Sequence, residues 1–135
     1  MAEVKTGKYT KQIQENGKEI SRLHARIHEK FNKSHAHRDD EEAWKNACAE
    51  FHARFDELAF PGGLNTAYER VESGEPDAVE AALCFLECRP YFFRSGYIWK
   101  KLLRKMKKAE LSQEQQTRFE VVREDLNRYK KHRNA

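Results

Sequence analysis

Apolar side chains recur at intervals of three and four residues along most of the chain, and this spacing limits the folds that are open to it. In the stretch 10–31 the repeat consists of Ile13, Ile20, Leu23, Ile27 and Phe31. An α-helix places such positions on one face, whereas a half-buried strand needs strict alternation of apolar and polar residues. No segment shows a clear strand pattern. The sequence therefore predicts an all-α protein.

Turn-forming residues divide this pattern into about six helices. Proline lacks a backbone N–H and glycine frees the backbone, so Pro61-Gly62-Gly63, Ser73-Gly74 and Arg89-Pro90 are predicted breaks. Ser112, with Gln115 three residues later, resembles a capping box that begins the last helix.

We expect a single domain, because 135 residues are enough for one hydrophobic core. A flexible N-terminal tail over 1–9 precedes an all-α domain over 10–133. A short polar turn joins two helices within 10–59 into an antiparallel hairpin, and 63–133 forms a compact helical bundle or a short irregular α-solenoid. The helix over 76–87 is apolar nearly all round, which predicts a central position.

Charge is distributed unevenly, although the formal net charge is only +4. Basic and acidic residues balance at 11 each over 1–60, whereas 61–88 has 1 basic and 6 acidic residues and 89–135 has 14 and 5. The last segment could bind nucleic acid, a membrane surface or an acidic protein, or pair with the acidic segment of the same chain. Its basic end, 128–133, is interpreted as a frayed terminus.

The predicted fifth helix, 97–108, has an apolar side and a cationic side. The candidate partner-binding or anion-binding residues are the cations of that side, an aromatic ring among them and an arginine before the helix: Arg94, Tyr97, Lys100, Lys101, Arg104, Lys105, Lys107 and Lys108. Like charges on one face repel one another, so an anion is expected nearby. Nucleic acid phosphates and the acidic residues over 69–87 are two candidates. A solvated face that offsets the helix dipole is a third interpretation.

Four residues of the predicted hairpin are candidate metal ligands. His24 and His28 stand four residues apart, a spacing that lets two imidazoles reach one ion. A turn centred near residue 36 would place Cys48 opposite His24, with His52 one helical turn away. Such a set would suit Zn²⁺. Alternatively, Cys48 is a small buried hydrophobe and the histidines are half-buried in the helix seam.

Three cysteines, with no signal peptide and no apolar run of about 18 residues, predict a cytoplasmic protein with free thiols and no membrane span. Cys84 and Cys88 stand four apart on one helix. We expect them to pack against a neighbouring helix rather than to form a redox pair.

No catalytic signature accompanies these features, since the chain has neither a phosphate-cradling glycine loop nor a nucleophile elbow. We therefore expect a non-enzymatic helical binding or adaptor module. Its basic, aromatic-flanked face would recognise a protein partner or form a homo-oligomer. One alternative is a nucleic-acid-binding protein that uses 97–108. Another is a metal protein or enzyme built on the four candidate ligands, with zinc as the only cofactor that the sequence suggests.

Overall fold

The computed structural model describes residues 7–33 and 38–134, and this part of the chain contains six α-helices and no strand. The helices are α1 Thr10–Lys33, α2 Arg38–Ala59, α3 Ala67–Glu72, α4 Pro76–Cys88, α5 Ser95–Met106 and α6 Gln113–Asn134. The predicted all-α fold of about six helices is confirmed. Residues 1–6 of the predicted tail and 34–37 of the predicted turn lie outside the described residues.

Helix α4 lies at the centre of the protein and packs against α1, α3, α5 and α6. Its six consecutive residues 81–86 are all buried. A helix enclosed by neighbours on several sides cannot keep a wide polar face, because water is excluded from each contact. The central position predicted from its apolar composition is therefore confirmed.

Helices α1 and α2 form the predicted antiparallel hairpin. Arg54 Nη1 of α2 donates to Glu19 of α1 at 2.8 Å, and Arg26 Nη1 of α1 donates to Glu50 of α2 at 2.8 Å. Residues later in α1 thus pair with residues earlier in α2, as antiparallel packing requires.

The loop between α4 and α5 is bounded by two arginines in the left-handed backbone conformation, Arg89 with φ 45° and Arg94 with φ 70°. Arg89 ends α4 and Arg94 precedes α5. The backbone N–H of Phe92 donates to Ser95 Oγ at 3.1 Å. Helix α5 begins at Ser95, two residues before the predicted start at Tyr97, because the tight turn already brings Ser95 into the first helical turn.

Helix α6 is fixed at its start and along its length. Ser112 and Gln115 form the predicted capping box, in which the backbone N–H of each donates to the side-chain oxygen of the other at 3.1 Å. Further along, Arg118 donates to Glu80 and Glu87 of α4, with shortest distances of 2.6 and 2.5 Å. These contacts hold α6 against α4 and bring its C-terminal half beside the start of α5.

Candidate functional site

A groove of about 600 Å³ lies between the loop over 89–94, the first turns of α5 and the C-terminal half of α6. The loop contributes Tyr91, α5 contributes Trp99 and Lys100, and α6 contributes Tyr129 and Lys130. Among the described residues, no aspartate or glutamate lines it. The groove therefore combines cations and aromatic rings without a neutralising carboxylate.

Four cations line the groove: Arg89, Lys100, Lys130 and Arg133. The guanidinium of Arg89 lies over the ring of Trp99, 4.2 Å from its centroid. The side chains of Lys100, Lys130 and Arg133 are not joined in an ion pair to any described residue. Their positive charges are available to an external anion.

Three tyrosines, two in the groove and one next to it on α5, are mostly exposed to solvent. Tyr91 at the loop is 94% exposed, Tyr97 on α5 is 83% exposed and Tyr129 on α6 is 56% exposed. Trp99 is different, because it is 8% exposed and its Nε1–H donates to the carbonyl oxygen of Leu86 at 3.0 Å. Trp99 therefore anchors α5 on α4, whereas the tyrosines are free to contact a ligand.

The cationic face predicted on α5 continues from the groove along the outside of the helix. Lys100 belongs to both surfaces, and Arg104 is exposed one turn further on. Helix α5 ends at Met106, so Lys107 and Lys108 belong to the following turn instead of the predicted helix. A second depression, of about 490 Å³, is lined entirely by cations: Lys101, Arg104, Lys105, Lys107 and Lys108.

Three of the predicted binding residues have partners within the protein. Lys101 Nζ lies 4.3 Å from the centroid of the Tyr68 ring. Arg94 lies on the other side of the loop from the groove, with its guanidinium 5.3 Å from the centroid of the Phe93 ring. Lys105, the third, pairs with an acidic residue of α3.

The acidic residues of α3 and α4 do not cover the cationic face. Lys105 Nζ donates to Glu72 Oε2 at 2.8 Å, and this bond lowers the pKa of Glu72. Glu80 and Glu87 instead pair with Arg118 of α6. In the part of the chain that the structure describes, Glu72 is thus the one carboxylate in an ion pair with this face.

Residues of α6 were not among the predicted site residues. The end of α6, interpreted from the sequence as frayed and solvated, is helical to Asn134 and contributes Lys130 and Arg133 to the groove. The sequence does contain a signal of a binding surface here, since Tyr129 stands among these cations. The position of this segment beside α5, however, depends on how α6 packs.

The predicted convergence of the four candidate metal ligands is not found. Relative to the predicted hairpin register, α2 is shifted by three residues, so Phe51 stands opposite His24, with ring centroids 5.7 Å apart. Cys48 is half-buried and His52 is exposed. Within 7–33 and 38–134, no three histidine, cysteine, aspartate or glutamate side chains could together hold a metal ion. The apolar Phe51 takes the position facing α1, because burying its ring stabilises the seam more than burying a thiol.

His24 stacks instead on Phe93 of the loop, with ring centroids 4.7 Å apart and ring planes at 20°. The ring of His28 packs edge-on against the ring of His24, with ring centroids 4.7 Å apart. Desolvation, and secondly the charge of His28, lower the pKa of His24. Since Ser21 Oγ also donates to the carbonyl oxygen of Tyr91 at 3.4 Å, α1 supports the loop that borders the groove.

We expect the protein to lose stability as the pH falls below about 6.5, where an unperturbed histidine titrates. The pKa of His24 is lower in the folded state, so the unfolded chain binds more protons over this range, and protonation favours unfolding. His24→Phe keeps a ring against Phe93 and removes the titration. Its advantage in Tm over the parent should therefore grow between about pH 7.5 and about pH 5.5. A Tm difference that stays constant across this range in thermal melts would contradict the assignment.

The three cysteines are free thiols. Cys84 is buried, with its Sγ 3.9 Å from Arg118 Nη2. Burial, and secondly the neighbouring Cys84, raise the pKa of Cys88 to about 11. Because the thiolate is the nucleophile, Cys88 is poorly suited to catalysis or redox exchange. These positions agree with the packing role predicted for the pair.

Comparisons with protein-family models, curated proteins and solved structures found no match for this chain. None of its described helices has an apolar stretch that would reach across a bilayer. The function is therefore inferred from the groove and the charges around it.

Proposed function

We propose that this protein is a non-enzymatic binding module whose groove and α5 face bind the phosphate backbone of nucleic acid. The observation that supports this most is the set of four groove cations with no described carboxylate among the lining residues. Lysine and arginine contacts to phosphates supply most of the affinity in sequence-independent binding, because they release counterions. Phosphate contacts also position the protein along the nucleic acid.

The first turn of α5 adds to the positive potential. Ser95 and Gly96 line the groove, and the first turn of this helix contains no acidic residue. The backbone N–H groups at a helix N-terminus carry a partial positive charge that favours a phosphate. Here that partial charge adds to the full charges of Lys100 and Lys130.

A nucleic acid fits the groove better than the protein partner expected from the sequence. Protein interfaces have a largely apolar centre with few charges. Leu126 is the one leucine, isoleucine or valine among the described residues that line the groove, and it is half-buried. An acidic protein segment would find the same charges, but the aromatic rings among the lining residues can in addition stack on nucleic acid bases.

Fluorescence anisotropy with labelled RNA and DNA oligonucleotides tests this function. Sequence-independent binding falls between about 1 and 100 µM at physiological salt, and we expect tighter binding at about 50 mM salt. With four to six phosphate contacts to a single strand, log K should fall with log salt at a slope of about −3 to −4. An acidic peptide is the comparison ligand. No binding of either nucleic acid at about 100 µM protein, or stronger binding of the peptide, would overturn the proposal.

A further inference from the structure

We infer that the groove selects single-stranded nucleic acid over duplex, with Tyr91, Tyr97 and Tyr129 as surfaces on which unpaired bases stack. This inference rests on the proposed function, because it concerns which form of nucleic acid the same cations hold.

The distribution of tyrosines supports the inference. The chain has five tyrosines, and the two outside this region, Tyr9 and Tyr68, pack against the hydrophobic core. The three most exposed ones all lie in the groove or beside it on α5. Exposed rings among cations are the arrangement that single-strand-binding proteins use, with bases stacked on the rings and phosphates on the cations.

The dimensions of the groove also favour a single strand. Its volume of about 600 Å³ lies in the range of a pocket for one small molecule. A volume of this size can hold a base or two but cannot enclose a duplex. Bases in a duplex are already stacked on their neighbours, so a protruding tyrosine gains contact only with bases that are unpaired.

The loop holds the backbone of Tyr91 in place before a ligand arrives. The backbone is fixed on the C-terminal side of this residue, since its carbonyl oxygen accepts from Ser21 Oγ and the next residue, Phe92, is buried. The left-handed Arg89 and Arg94 bound the same loop, and such backbone conformations persist where surrounding contacts enforce them, often at functional sites. A backbone that is already fixed loses less conformational entropy on binding.

Two variants of the full chain test the role of the rings. One replaces Tyr91, Tyr97 and Tyr129 with leucine, which keeps apolar bulk and all charges but removes the aromatic faces. The matched control replaces the same three with phenylalanine, which keeps the rings. Base stacking on one aromatic ring is worth about five-fold to 100-fold in affinity. All three positions are exposed, so thermal melts of both variants should resemble those of the parent.

Anisotropy should be measured with a mixed-base single strand of about 12 nucleotides, its duplex, and an abasic strand of equal length. We expect the parent and the phenylalanine variant to bind the single strand at least ten-fold more tightly than the duplex or the abasic strand. The leucine variant should lose at least ten-fold in single-strand affinity with an unchanged salt slope.

The outcomes separate the two proposals. If the duplex binds as tightly as the single strand and the leucine variant binds like the parent, the single-strand inference is overturned and the nucleic-acid function stands. If none of the three probes binds, both are overturned.

Discussion

Replacing Lys100, Lys130 and Arg133 with glutamine should weaken the binding of single-stranded nucleic acid about 100-fold at low salt, at roughly 1 kcal/mol for each lost phosphate contact. These side chains line the groove and have no ion-pair partner among the described residues, so their removal breaks no internal pair. The slope of log K against log salt should become shallower by about 2, because each single-strand phosphate contact contributes about 0.7. Anisotropy titrations over a salt series measure both quantities.

A matched control distinguishes the effect of the groove cations from the effect of the net charge. Lys11, Lys33 and Lys45 are exposed on the hairpin, and each pairs with a glutamate four residues away in its own helix. Their replacement with glutamine lowers the net charge by the same three units. Surface pairs of this kind contribute little to stability, so both triple variants should melt close to the parent. Equal loss of binding in the two variants would show that affinity follows total charge, contrary to the proposal.

The parts of the fold that depend on local sequence could be predicted. The central position of α4 follows from a helix that is apolar nearly all round, since the pattern itself leaves no solvent face. The reciprocal bonds of Ser112 and Gln115 depend on residues only three positions apart. The cationic side of α5 is likewise a property of one helix, so it can be predicted without knowledge of the neighbouring helices.

The parts that depend on how distant segments meet could not be predicted. Lys130 and Arg133 join the groove because Arg118, earlier in α6, pairs with carboxylates of α4 and orients the whole helix. Nothing near Lys100 in the sequence indicates this contact. The predicted register of α2 against α1 was wrong for the same reason. The spacing of His24 and Cys48 sets no turn length, and burial of Phe51 shifts the pairing by three residues.

Replacing Phe85 with alanine should lower the free energy of unfolding by about 3 to 5 kcal/mol, the usual cost of removing a buried aromatic ring. Phe85 lies on α4 with no exposed surface, and its ring centroid is 6.2 Å from those of Phe60 and Phe92. The cavity left by alanine would face both, because close-packed neighbours relax only partly. Chemical denaturation of parent and variant, with a common slope on denaturant concentration, measures the difference.

The control for this variant is Val121→Ala on α6, where the side chain is 51% exposed. It should change the free energy of unfolding by less than about 0.5 kcal/mol, as surface substitutions usually do.

Because Phe92 packs on Phe85 and lies next to Tyr91, the cavity left by Phe85→Ala should also loosen the loop that borders the groove. At a temperature where Phe85→Ala is still folded, its single-strand affinity should therefore fall although no groove residue has changed. Unchanged stability would contradict the α4-centred core. Lower stability with unchanged single-strand affinity would contradict the link between this core and the position of Tyr91.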